Sequence, residues 1–405
     1  MKLKGLRQSA LALAASAALA ACGSGQAQDD SALKVMTISI WDNATYDFEH
    51  LPTIVENAAG PANQAGGING QKVEVIPCNT KGDPNEAERC ARKAADEKVA
   101  AVVGGFSLEA NRIFPILEQA KIPYIGGTVT KPIDSTSPMA FPTAGGPMLQ
   151  MADGVRPAEN DSCNTIAMLT SEQSAPFTQS YVEKAAAHYK RQPVRTVTYP
   201  EGATDMAPYV QQWIQGNPDC LLMVLTPSSS QQALPAMKSL QVTENFRGRI
   251  YASAPGGLTE DVLKKFPQET EGIKSLGYFP PGSDPVWTDY LNQMKAAGNL
   301  TGVEGRLGDN SELRTYLAYK VFEIVAKTVS GPVTNESLLT ALGQACSVNV
   351  GSMSPTLDFC KPVSDPAIAR SFNNSFVWYE ARDGHYVQSQ DGFVDVLPAY
   401  LAQSG

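Results

Sequence analysis

From residue 34 onward the chain alternates short, unbroken apolar runs with longer amphipathic stretches. A run of about four to eight apolar residues with no polar alternation suits a strand buried on both faces, which requires helices above and below its sheet. The first series predicts strands over residues 34–40, 72–78, 99–104 and 122–126, with helices near 51–64, 84–97 and 109–119. A second series of similar size and rhythm follows Pro142. It predicts strands over 163–170, 194–199, 220–226 and 249–253, with helices near 173–189, 205–215, 228–240 and 259–266. Repeated strand–helix units of this kind make an α/β protein with parallel sheets. Two series imply two doubly wound lobes. The tail from Gly277 has no third series. It predicts helices near 285–297, 311–329 and 335–345, a cysteine-bracketed loop, and a hairpin of 375–381 with 385–389 around Asp383-Gly384. It returns to complete the lobes, with residues 33–143 plus 282–345 forming one lobe and 144–281 plus 346–401 the other.

Local signals agree. Asp83-Pro84 before Asn-Glu-Ala-Glu reads as a helix N-terminus with an Asp cap and Pro in the first position. Gly66-Gly-Ile-Asn-Gly70 reads as the turn that ends one helix and starts the next strand. Asp205 reads as a structural N-cap, and Glu260 and Asp261 as caps of the following helix.

Composition narrows the function classes. The chain has 405 residues, is 43% hydrophobic and 18% charged, and carries a net charge of −9. That apolar content excludes disorder, and the negative charge argues against a nucleic-acid partner, which favours a basic face. Three histidines, His50, His188 and His385, stand apart in sequence, so neither a metal nor a cofactor is predicted.

The N-terminus is a processing segment. Lys2, Lys4 and Arg7 precede the apolar run 10–21, too short to span a bilayer core needing about 20 residues, so residues 1–21 read as a signal peptide. Leu19-Ala20-Ala21-Cys22-Gly23 resembles a bacterial lipobox, with Cys22 as the lipidated residue and 22–32 as anchor and tether. No later run reaches transmembrane length. This places the body outside the cytoplasmic membrane, lipid-anchored to its outer face.

Six cysteines remain. In an exported chain an even set implies disulfides, and six allow fifteen full pairings. Sequence order favours Cys78–Cys90, Cys163–Cys220 and Cys346–Cys360. In a sheet of order 2-1-3-4-5, Cys163 and Cys220 open neighbouring strands, at a spacing of about 4.8 Å that a disulfide can bridge.

Asn63-Gln-Ala-Gly-Gly-Ile-Asn-Gly-Gln-Lys-Val-Glu-Val75, Gly82-Asp-Pro, Val102-Val-Gly-Gly-Phe-Ser107 and Ile122-Pro-Tyr-Ile-Gly-Gly-Thr-Val-Thr-Lys-Pro132 together resemble the first lobe of type I (branched-chain amino-acid type) periplasmic substrate-binding proteins. A weaker continuation runs through Thr204-Asp205, 219–226 and Tyr251-Ala-Ser-Ala-Pro-Gly-Gly257. The resemblance implies a two-lobed solute receptor of an ABC importer, with permease subunits as partners and a small polar solute, an amino acid or amide among the candidates, as ligand. It implies no enzymatic activity.

Ligands of such sheets bind beyond the strand carboxyl ends, and facing lobes make a cleft between them. Chain crossings near Thr143 and Tyr278–Pro281 are the predicted hinge. In the first lobe the candidates are Trp41, Tyr46, Phe106, Ser107, Thr128 and Thr130. By resemblance, Ser107, Thr128 and Thr130 match positions that bind a ligand carboxylate, while Ser and Thr at such places also serve as turn and cap residues. In the second lobe the candidates are Glu172, Phe177, Thr226 and Ser253. Here the sequence departs from the amino-acid-binding pattern, because Ser253-Ala-Pro-Gly-Gly257 stands where those receptors carry the acid that meets the ligand ammonium. Glu172 is the one nearby acid. Two other readings compete with this one. An exported hydrolase would need GxSxG after a strand, which Gly105-Phe-Ser-Leu-Glu109 does not supply. A receptor of the same fold that signals without transport has the same sequence features.

Overall fold

The computed structural model describes residues 32–43, 46–146, 163–200, 202–246, 248–252, 257–298 and 310–401. Cys22, Ser253 and the signal segment lie outside them. The first sheet holds β1 (Leu33–Ser39), β2 (Val73–Asn79), β3 (Ala101–Gly105), β4 (Tyr124–Ile125) and β5 (Ala140–Phe141), all parallel, in the order β2-β1-β3-β4-β5. The second holds β6 (Ile166–Ser171), β7 (Arg195–Tyr199), β8 (Cys220–Val224), β9 (Arg249–Ala252) and β10 (Lys274–Gly277), parallel in the order β7-β6-β8-β9-β10. Both are 2-1-3-4-5. The hairpin of β11 (Ser375–Arg382) and β12 (His385–Gln388) adds antiparallel strands beside β10, and β13 (Val394–Asp395) pairs with β11. Asp383 and Gly384 both take positive φ at its turn, as a two-residue hairpin loop requires.

The helices follow their local chemistry. Asp83 caps the helix Pro84–Asp96 by accepting from the backbone of Asn85 and Glu86. The helix Asn310–Ala326 is apolar on nearly all sides, with Leu313, Leu317, Val321, Phe322 and Val325 buried, so it must be enclosed. It lies between the helix Leu51–Gln64 and β3. Its close approach is permitted by glycine. A Cβ on Gly104 would sit 2.6 Å from Thr315 and one on Gly126 2.3 Å from Ala318, and both residues have positive φ.

Three disulfides join Cys78 to Cys90, Cys163 to Cys220 and Cys346 to Cys360, with Cα separations of 5.7, 5.3 and 4.9 Å. The predicted pairing is correct. Cys163 does not open a strand, however. β6 begins three residues later because the Asp219 carboxylate accepts from the backbone N–H groups of Asn164 and Thr165, which removes them from the ladder. Those hydrogen bonds, from Thr165 above all, hold the Asp219 carboxyl below its ordinary range.

Three stretches cross between the lobes. The predicted crossings at Thr143 and after β10 are joined by a third at Asn373, whose side chain donates to the Thr143 carbonyl at 2.9 Å. Tyr278 and Phe376 meet beside it at a tilt of 45°, with ring centres 5.3 Å apart. Upstream of that crossing, Phe359 and Phe372 lie on Phe141 of the first lobe, and the Arg370 guanidinium covers the same ring. Residues 346–372 therefore contact the first lobe before the chain enters β11. Among the described residues no helix is long and apolar enough to cross a membrane.

Candidate functional site

The carboxyl ends of β1, β3 and β4 form the mouth of the first lobe. Parallel β1 and β3 bring the loop after Ser39 beside the loop after Gly105, and three half-buried rings meet there. Phe106 lies 5.3 Å from Tyr46 and 4.8 Å from Phe48 between ring centres, and Phe48 continues to His50 at 6.3 Å. Ring contacts at these distances add to apolar burial. His50 Nε2 meets the fully buried Glu312 carboxylate at the start of the helix Asn310–Ala326.

Two residues further along that helix, Arg314 turns toward the mouth. Its Nη1 donates to Thr128 Oγ1 at 2.8 Å, and its guanidinium lies 5.1 Å from the centre of the Tyr278 ring in the hinge. Arg314 is 5% exposed. Thr128 Oγ1 in turn donates to the Gly105 carbonyl at 3.4 Å, next to Phe106. The aromatic group and the arginine thus bound one continuous rim.

The loop from Thr128 to Asp134 is held from below. Asp134 Oδ2 accepts from the backbone of Thr130 at 2.9 Å and of Lys131 at 2.8 Å, with the Thr130 hydroxyl at 3.4 Å. Burial pushes the Asp134 carboxyl up to about 6, against the opposing pull of those donors. Thr130 Oγ1 also reaches the Ser107 carbonyl at 3.3 Å. Ser107 is buried, and its hydroxyl accepts from the Glu109 N–H at 3.1 Å, the turn role open to it from sequence. Trp41 is half-buried, with its backbone N–H donating to the Asn79 side-chain oxygen at the end of β2.

The second lobe is plainer. Glu172 is exposed, its backbone N–H on the Tyr199 carbonyl. Thr226 caps the helix Pro227–Ser239 by accepting from the Ser229 N–H at 3.2 Å. Phe177 lies within the helix Ala175–His188. Glu260 does not cap its helix. Thr259 does, while Glu260 is buried and accepts from His385 and the Tyr386 N–H. The hydroxyl at Thr259 stands one residue before the helix, which is where a cap must be.

Of the residues predicted from sequence, Tyr46, Phe106, Ser107, Thr128 and Thr130 come together. Phe48, His50, Asp134 and Arg314 join them unpredicted, together with Tyr278 of the predicted hinge. Asp134 had a local signal in the Pro-Ile-Asp turn, four residues after Thr130. Arg314 had none, since it meets Thr128 across 186 positions. Elsewhere, a cavity of about 750 Å³ lies between the helices Asn310–Ala326 and Asn335–Gly343, lined in part by Val325, Thr328, Gln344 and Cys346, away from the strand carboxyl ends. Cys346, Asp358 and Cys360 cluster at metal-ligand distance, but the two sulfurs are joined in a disulfide and offer no thiolate.

A family model described as periplasmic binding protein matches residues 53–359. No curated protein sequence matches the chain. Solved structures match along most of their length at low identity. An ABC transporter substrate-binding protein from Sphaerobacter thermophilus is 16% identical with a TM-score of 0.72, covering 90% of this chain and 98% of its own. A solute-binding protein of an ABC transporter from R. palustris, solved in complex with 4-hydroxybenzoate, is 17% identical with a TM-score of 0.69, covering 90% and 97%. A leucine-binding protein from Thermotoga maritima is 18% identical with a TM-score of 0.66, covering 90% and 99%.

Proposed function

Because this chain belongs to the periplasmic binding protein family, whose members are binding proteins and not enzymes, we propose that it is the extracytoplasmic solute receptor of an ABC importer. The observation that carries this reading is the rim at the first lobe's strand ends. Aromatic rings, hydroxyls and one guanidinium converge there next to the hinge residue Tyr278. Such a surface can hold a small solute by apolar contact and a few oriented donors.

Hinge bending about the crossings at Thr143, Tyr278 and Asn373 would close the second lobe over a ligand held on the first. The closed form would then be what the permease subunits recognise. In this reading the first lobe comprises residues 33–143 with 282–372, and the second comprises the remainder from 144, including β11 and β12. Trp41, Glu172, Phe177, Thr226 and Ser253 are its remaining contact candidates. Cys22 carries the lipid that keeps the receptor at the outer face of the membrane, once residues 1–21 are removed.

Two measurements test the reading. A thermal-shift screen of the body from residue 23 onward, against amino acids, amides, carboxylates and small aromatics, should show at least one solute raising the melting temperature. The same solute should reduce the radius of gyration in solution scattering. A broad library that leaves both unchanged refutes the receptor function. Separately, Cys22→Ser should move the full-length protein out of the membrane fraction, and retention there would refute the anchor.

A further inference from the structure

We propose that Cys346, Cys360 and Asp358 form a reduction-gated site for one thiophilic divalent cation of the zinc type. The site lies just beyond the helix Asn335–Gly343, away from the strand carboxyl ends, and stands independently of the receptor reading.

The three disulfides differ in access. The cysteines of the links Cys78–Cys90 and Cys163–Cys220 are at most 4% exposed. Cys346 is exposed and also lines the cavity of about 750 Å³. Thiol–disulfide exchange requires a thiolate to reach a disulfide sulfur, so a small dithiol can reduce this link without unfolding a lobe. One thiolate of the reductant attacks Cys346 Sγ, the S–S bond breaks, and Cys360 leaves as a thiolate. The second thiolate of the reductant then displaces Cys346. The reductant ends as its own disulfide, two electrons pass to the protein, and protons from solvent complete two thiols.

Reduction leaves the sulfurs near one another. The backbones that carry them are joined at Val348 and Leu357, whose N–H groups donate to each other's carbonyls at 2.8 and 3.0 Å. The Phe359 N–H donates to the Ala345 carbonyl at 3.0 Å, and Val348, Leu357 and Phe359 are buried. None of these contacts needs the S–S bond. Asp358 is oriented too, since its Oδ1 accepts from the Cys360 N–H at 3.0 Å. The two sulfurs and a carboxylate oxygen lie within 4.8 Å of one another. Ligands of a tetrahedral zinc ion stand about 3–4 Å apart, and zinc accepts thiolate and carboxylate together.

The surroundings favour a cation. The helix Asn335–Gly343 ends at the pair, with the Gly343 carbonyl oxygen 3.6 Å from Cys360 Sγ and the Gln344 carbonyl oxygen 3.5 Å from Cys346 Sγ. A helix C-terminus carries partial negative charge. Two bare thiolates would be repelled by these carbonyls and by the Asp358 carboxylate. A divalent cation removes that conflict, and its binding releases the two thiol protons to solvent. Three protein ligands leave a fourth position for water.

The test uses the full chain carrying Cys22→Ser, so that only the six paired cysteines remain. The folded protein is treated with dithiothreitol, alkylated with iodoacetamide and mapped by mass spectrometry. Cys346 and Cys360 should be labelled and the other four should not. A second sample, reduced and freed of dithiothreitol without air, is titrated with cadmium(II), whose thiolate complexes absorb in the ultraviolet. One cadmium should bind per chain, zinc(II) should compete for it, and the unreduced protein should show no such band. Asp358→Asn keeps an acceptor for the Cys360 N–H and should weaken cadmium by at least about 10-fold. Cys346→Ser should abolish the band. Melting temperatures report whether each variant folds, and Asp358→Asn, which leaves the disulfide intact, carries the test if Cys346→Ser does not. Any one of four results overturns the proposal: labelling of all six cysteines together, a native link that resists dithiothreitol, a reduced protein that binds no cadmium, or Asp358→Asn binding it as tightly as the parent chain.

Discussion

The two lobes share one strand order and use it differently. The first packs a late helix, Asn310–Ala326, onto its glycines, and its strand ends carry rings, a buried acid and an arginine. The second widens its sheet with the antiparallel β11 and β12 and keeps exposed Glu172 and Thr226 at its described strand ends. Even a shared device is set differently. Asp134 and Asp219 each pin two backbone N–H groups, but Asp134 does so in the interior and Asp219 at the surface. Burial raises the first carboxyl, while hydrogen bonds lower the second. One lobe gathers rings, an acid and an arginine at its strand ends, and the other is plainer there.

The largest test of this contrast removes disulfides lobe by lobe. The Cys163–Cys220 link spans 57 positions and the Cys78–Cys90 link 12. Loop entropy makes the loss of the first, as Cys163→Ser with Cys220→Ser, cost about 4 kcal/mol and the loss of the second about 3 kcal/mol. Hydrogen exchange should show each loss opening its own lobe. Uniform loosening of both lobes by either pair of substitutions would break the comparison.

Glycines give the next effect. Gly126→Ala combines positive φ with a Cβ 2.3 Å from Ala318, whereas Gly272→Ala in the second lobe has positive φ and open space around it. Urea unfolding should show a loss of about 3 kcal/mol or more for the first and about 1 kcal/mol for the second. Equal losses would mean that the tight seating of the late helix does not matter.

A smaller effect depends on pH. The folded Asp134 carboxyl keeps its proton up to about pH 6, while its ordinary value is 3.8. Folding takes up a proton between those values, so this residue's contribution to stability grows as pH falls from above 6 toward 4. Asp134→Asn keeps a carbonyl for the Thr130 and Lys131 N–H groups and removes the buried charge. It should therefore be more stable than the parent chain by about 2–3 kcal/mol at pH 8, with the gap closing near pH 4. A gap independent of pH would refute the assignment.

Much of this was written locally in the chain. Short apolar-rich runs announced β1, β3, β6 and β8, and the Asp83-Pro84 cap and the glycine turn at 66–70 behave as their residue types require. Strand β5, with two residues, and β10, Lys-Ser-Leu-Gly, are too short for a periodic signal and form because neighbours on the sheet complete them. The site divides the same way. Ser107, Thr128 and Thr130 follow strand ends and could be marked by position. Arg314 and Glu312 lie on a helix whose apolar pattern says only that it is enclosed, and their partners are set by tertiary packing.

The crossing after β10 has a consequence for the order in which the molecule can be made. In chain order the second lobe's five parallel strands come before the helix Asn310–Ala326, which fills the first lobe's core, so a chain that emerges from its N-terminus presents them first. The lobe that begins the chain must therefore wait, incomplete, until its neighbour has emerged. Domains usually finish in the order of synthesis. Here the first to start is bound to finish late, and neither lobe can be cut out of the chain by a single break.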